Sequence, residues 1–122
     1  MDYALVMSGG AMGAAARLAI SRSIGAPPPD GWPLATLVIN LVGGLLMGLL
    51  VGWLMRRGGG EHWRLLIGVG ILGGFTTFST FSLELVDMIS AGRWTDATGY
   101  AVISTLGAIV LLSGGLWLAR LA

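Results

Sequence analysis

Four stretches of this chain are long and apolar enough to cross a lipid bilayer, and that feature rules out most folds at once. A spanning helix needs roughly 20 mainly apolar residues. The stretches are residues 3–24, with Arg17 towards the far end; 33–55, uncharged; 65–89, uncharged through Leu83; and 97–119, uncharged. Between them lie Pro27-Pro28-Pro29-Asp30-Gly31, Arg56-Arg57-Gly58-Gly59-Gly60-Glu61 and Ala91-Gly92-Arg93, which are breaker signals. Only 11% of the residues are charged, against about 25% in a soluble domain. The expected fold is an all-α membrane protein, with residues 1–122 as a single four-helix transmembrane domain. The tryptophans agree: Trp32, Trp53, Trp63, Trp94 and Trp117 all fall at span ends, where an indole ring stays apolar and its N–H stays wet.

Charge narrows the partners. The net charge is +1, so no basic patch points to nucleic acid. There is no cysteine, hence no disulfide framework and no thiolate chemistry. The first stretch opens on Asp2 without a basic region, so it reads as a span, not a cleaved signal peptide. Four spans put both termini on one side with Arg56, Arg57, Arg64 and Arg120; Arg22, Arg93 and Arg17 fall towards the other. Four against three is almost no bias. Two readings stay open: orientation is set by something other than these charges, or the chain inserts both ways. His62, beside Trp63, is expected to be a solvated loop residue.

Small residues mark where helices touch helices in lipid. The second span carries Thr36, Asn40, Gly44, Gly48 and Gly52 at four-residue spacing. The first adds Gly9 with Gly13 and Gly10 with Ala14, and the third adds Gly70 and Gly74. Small stripes left over would serve a second subunit. Asn40 lies eight residues into its span, where an amide facing lipid would be costly. It is either an interhelical hydrogen bond or a donor lining a pathway.

The densest signal is Gly73-Gly74-Phe75-Thr76-Thr77-Phe78-Ser79-Thr80-Phe81-Ser82, with Glu84 just beyond. Adjacent glycines weaken a helix, so the third span is expected to break at mid-membrane, over Gly73–Thr76. A break frees carbonyls that protein, water or an ion must satisfy. A kinked helix with back-bonded hydroxyls is the plain alternative; five hydroxyls beside three phased rings fit it poorly. Ring edges carry partial positive charge, and hydroxyls and an amide donate hydrogen bonds. Tyr100 and Ser104, one turn apart in the fourth span, extend the polar set, with Thr105 beside them. These residues suggest an uncharged, donor-lined, aromatic-walled route for a small anion.

On these residues the chain resembles the Fluc fluoride channels, over its whole length. Gly9-Gly10-Ala11-Met12-Gly13-Ala14-Ala15-Ala16-Arg17 is similar to the family's GGxxGAxxR opening. The run from Pro33 to Asn40, followed by Gly43, is similar to its second-span element, with Ala35 where glycine is usual. Gly73 to Glu84 follows the GGxTTFSTFSxE signature throughout, which is the specific match. The resemblance implies an antiparallel, dual-topology homodimer in the cell inner (plasma) membrane, with two pores that release fluoride passively. It implies Asn40, Phe78 and Phe81 as pore residues. Thr36, Ser79, Thr80, Tyr100, Ser104 and Glu84 become polar pore or vestibule groups. It also implies that backbone carbonyls of Gly73 and Thr76 hold a structural sodium ion at the dimer centre. Ala108 stands where a further small hydroxyl is often found. Arg17 faces a vestibule or snorkels to the interface.

Two rivals of other classes are weaker. A small multidrug-type cation exporter needs a carboxylate inside the first span, and Tyr3 to Ala16 has none. A non-transporting membrane assembly subunit explains the glycines but not the hydroxyl and ring cluster. No constellation for an enzyme is present in the sequence.

Overall fold

A computed structural model describes residues 1–121. It is helical throughout, with no strand among the described residues. Helix α1 is Asp2–Ile24 and α2 is Leu34–Arg57. Helix α3 covers residues 61–75: one turn Glu61–Trp63, a π-wound stretch Arg64–Leu72, and a last turn Gly73–Phe75. Then follow α4, Phe78–Ser90, and α5, Trp94–Leu121. Four segments, Asp2–Ile24, Leu34–Arg57, Glu61–Ser90 and Trp94–Leu121, are long and apolar enough to span a membrane. The chain is a multi-pass membrane protein.

Helix ends follow local chemistry. Helix α1 stops at Gly25, before the three prolines. Helix α2 runs two residues past the apolar stretch, because Arg56 and Arg57 favour a helix C-terminus. It ends on Gly58, whose φ of 71° is the left-handed geometry that glycine adopts without a steric penalty.

The helices pack as two pairs, α1 on α3 and α2 on α5. Glycines set both contacts. A Cβ on Gly13 would collide with the carbonyl oxygen of Ile71, and one on Gly48 with that of Leu112. Backbones can approach this closely only where side chains are absent. The stripe on α2 therefore divides: Gly44, Gly48 and Gly52 face Ala108, Leu112 and Leu116 of α5, whereas Thr36 and Asn40 turn towards Glu84 and Thr77.

The third segment is interrupted at the far end of the Gly73–Thr76 stretch and just beyond it, not at the glycines themselves. Gly73 is helical, at φ −64° and ψ −39°. The helix instead gives way at Thr76 (φ −75°, ψ 157°) and Thr77 (φ −148°, ψ 119°), both extended. Gly74 serves packing: an added Cβ would sit 2.6 Å from the carbonyl oxygen of Gly10. Two consecutive β-branched residues suit extended backbone. Side chains then stabilise the interruption, because Thr77 Oγ1 accepts the Thr80 N–H at 3.3 Å and caps α4.

Candidate functional site

Thr77 is the hub of the interruption. Its N–H donates to Asn40 Oδ1 at 2.9 Å, and its carbonyl accepts from Asn40 Nδ2 at 3.1 Å. One amide thus replaces both helical partners that the extended backbone has lost. The Thr77 hydroxyl donates to Thr80 Oγ1 at 3.0 Å and lies 3.5 Å from Ser79 Oγ. The sequence motif contained Thr77 without marking it as special; the signal was the second β-branched residue in a row. Asn40 makes the interhelical bonds, and its second amide proton is not used by Thr77.

A groove of ≈ 430 Å³ runs along this clamp. It is lined by Asn40, Thr76, Thr77, Phe78, Phe81 and Ser104, with apolar side chains completing the wall and no charged group among its lining residues. Phe78 is 79% exposed on the open side of the chain, whereas Phe81 is 8% exposed. Their ring centroids are 5.8 Å apart at 46°. Ser104 Oγ is buried and has no hydrogen-bond partner among the described residues. A buried hydroxyl without a partner is costly. Thr105 borders the same groove, and so does Ala108, which leaves the track without a further hydroxyl there.

Behind Phe81 lies a second polar set. Glu84 accepts from Thr36 Oγ1 at 2.6 Å and from Tyr100 Oη at 2.7 Å. Both hydroxyl protons are therefore committed to the carboxylate and do not point at the groove. Tyr100 is fully buried, its ring 5.3 Å from that of Phe81. A second cavity of ≈ 370 Å³, on the other side of the clamp, is lined by Arg17, Ser21, Thr36, Thr77 and Thr80 among others. Arg17 thus borders this cavity. Ser79 is exposed and lines neither space; among the described residues its hydroxyl meets Thr77 alone.

The carbonyls of Gly73 and Thr76 have lost their ordinary donors. In a continuous helix they would accept from the amides of Thr77 and Thr80. Those amides are taken by Asn40 Oδ1 and Thr77 Oγ1. Two hard oxygen donors freed at a broken helix suit a small alkali cation, so these residues fit the sodium ion that the resemblance implies.

Known proteins are similar to this chain over nearly its whole length. The family model described as CrcB-like protein, Camphor Resistance, matches residues 4–116. A fluoride-specific ion channel FluC of Caulobacter sp. (strain K31) is 46% identical over 118 residues, covering 95% of this chain and 92% of the relative. The protein of that name from Phenylobacterium zucineum is 48% identical over 118 residues, with 95% and 93% covered. The one from Erythrobacter litoralis is 49% identical over 122 residues, with 95% and 90% covered. Matched along nearly its whole length by the family model and by relatives that share almost half its residues, this chain belongs to the CrcB-like family.

Proposed function

We propose that the chain is a fluoride channel that lowers cytoplasmic fluoride by passive efflux across the inner membrane. The observation that carries this reading is the uncharged groove in which Asn40, Phe78, Phe81 and Ser104 converge. Fluoride is small and strongly hydrated, so a selective route must supply replacement contacts. The free amide proton of Asn40 and the hydroxyl of Ser104 are donors. The edges of Phe78 and Phe81 carry partial positive charge and attract an anion without binding it as tightly as an arginine would. Glu84 lies behind Phe81, occupied by two hydroxyls, and does not line the groove. Chloride, larger and a weaker acceptor, gains less from the same groups. Purified protein in liposomes should release fluoride, read with a fluoride electrode, and should hold back chloride and a drug cation. Equal release of chloride would end the fluoride reading.

The groove is open along one side, where Phe78 stands exposed. This supports a dimer of two antiparallel copies, the partner closing each groove so that the assembly holds two pores with the third span broken at mid-membrane. The near-even arginine count supports mixed insertion. His62→Cys, placed in a chain without other cysteines, should label from both faces of the membrane, each in part of the population. Labelling from one face alone would remove dual topology.

The freed carbonyls of Gly73 and Thr76, brought together from both subunits, would hold a sodium ion whose role is to satisfy and join the two breaks. Exchange of sodium for N-methylglucamine should lower the fraction of dimer recovered on size-exclusion chromatography. A dimer indifferent to that exchange would leave no structural part for sodium.

A further inference from the structure

The end of the molecule nearest the α1–α2 loop holds a cluster that the channel reading does not use. Gly92, at φ +74°, turns the chain so that the Arg93 N–H reaches the Met88 carbonyl at 2.9 Å. Arg93 then spends all three guanidinium nitrogens. Its Nε donates to Asp96 Oδ2 at 3.0 Å, Nη1 to the Pro29 carbonyl at 3.3 Å, and Nη2 to the carbonyls of Asp30 and Gly31 at 2.8 and 3.2 Å. The other carboxylate oxygen of Asp96 accepts from Trp32 Nε1 at 3.1 Å. Two loops far apart in sequence are thereby fastened around one indole.

The indole is fitted, not merely present. A Cβ on Gly99 would come within 3.0 Å of Trp32 Cζ2, so the ring lies against bare backbone. Its edge meets Tyr100, with centroids 5.9 Å apart and planes at 67°. Tyr100 meets Phe81 at 5.3 Å, and Phe81 meets Phe78 at 5.8 Å. Four rings form a continuous row from the loop clamp to the groove. Trp32 also packs on the buried cluster of Phe81, Met88, Ala97 and Tyr100.

Resting on the fluoride-channel reading, we infer that Trp32 is a positioning residue for the ion route. Held by Asp96 and Arg93, it fixes the plane of the Tyr100 ring, and through it the edge that Phe81 presents to the ion. An edge-to-face pair loses its preference when one ring goes, and Tyr100 and Phe81 then gain freedom to turn.

The test combines liposome flux per recovered dimer with fluorine NMR of protein labelled with 4-fluorophenylalanine. The three phenylalanines give three signals, and that of Phe81 is identified by its loss in Phe81→Ile. Trp32→Leu should cut fluoride flux about three- to tenfold, the factor one aromatic pair is worth. It should also shift or broaden the Phe81 signal while leaving that of Phe75 in place. Trp32→Phe, which keeps a ring edge, should regain most of the flux, and Asp96→Asn should fall between the two. Should Trp32→Leu fail to assemble, Gly99→Ala displaces the indole without removing it and should shift the Phe81 signal likewise. Unchanged flux overturns the inference; so does reduced flux with an unmoved Phe81 signal, because the effect would not run through the rings. Absence of fluoride flux in the unsubstituted protein is a different result. It overturns the channel reading, and the fluorine signals still decide whether Trp32 sets Phe81.

Discussion

Phe78→Ile and Phe81→Ile are each expected to lower fluoride flux per assembled dimer by about tenfold or more, each decade being about 1.4 kcal/mol lost at the tightest point of the route. Isoleucine fills volume but has no quadrupole, so an ion passing it meets an apolar wall in place of a positive ring edge. The two positions differ in what else they do. Phe81 is 8% exposed and packs on Tyr100, so its loss also opens space in the core; large-to-small aromatic changes there cost about 3–5 kcal/mol, though isoleucine leaves less of a void than alanine. Phe78 is 79% exposed in the single chain and meets Phe81 in a tilted contact. Phe78→Ile is therefore the cleaner experiment. Efflux from liposomes, normalised to dimer recovered by size-exclusion chromatography, separates lost conduction from lost assembly. Flux per dimer at the unsubstituted level in both variants would place the route elsewhere.

Much of the fold was legible because hydrophobic length is a one-dimensional signal. Residues 33–55 carry no charge, and α2 occupies Leu34–Arg57. Pairing of the helices was legible in outline, since Gly9, Gly13 and Gly48 sit where backbones meet. Which residues around the break leave the helix was not. Adjacent glycines are weak helix formers, yet Gly74 lies against Gly10 and is held helical by that contact, a tertiary effect that propensity cannot express. The extended residues are Thr76 and Thr77, and what holds them is Asn40, 37 positions away from Thr77. Residue types named the polar groups, but not which way their protons point. Thr36 and Tyr100 read as polar pore or vestibule groups, and in three dimensions both donate to Glu84. The Trp32, Asp96 and Arg93 clamp was invisible for the same reason: its members are 64 and 3 residues apart, and each alone looks like an ordinary interfacial residue.

Asn40→Asp is expected to abolish conduction through two losses at once. The amide clamps Thr77 by accepting its N–H at 2.9 Å and donating to its carbonyl at 3.1 Å. Aspartate keeps the first bond. It loses the second, and sets a carboxylate oxygen against the Thr77 carbonyl, acceptor against acceptor. The part-buried carbonyl is left without its partner, at about 1–3 kcal/mol. The same change removes the remaining amide proton from the groove and puts a negative charge in the ion's path. Asn40→Ala separates these effects, because it removes the clamp and the donor without adding charge. It should leave a small residual flux and a less stable dimer, whereas the aspartate variant should show no fluoride flux above empty liposomes. Acidification offers an internal control. Protonating the introduced carboxyl restores a donor and removes the repulsion, so flux in Asn40→Asp should rise as pH falls through the titration of that group, while flux in Asn40→Ala stays flat over the same range. Equal flux in the two variants at every pH would mean that the ion does not pass beside residue 40, and that the amide serves only to hold Thr77 in its extended form.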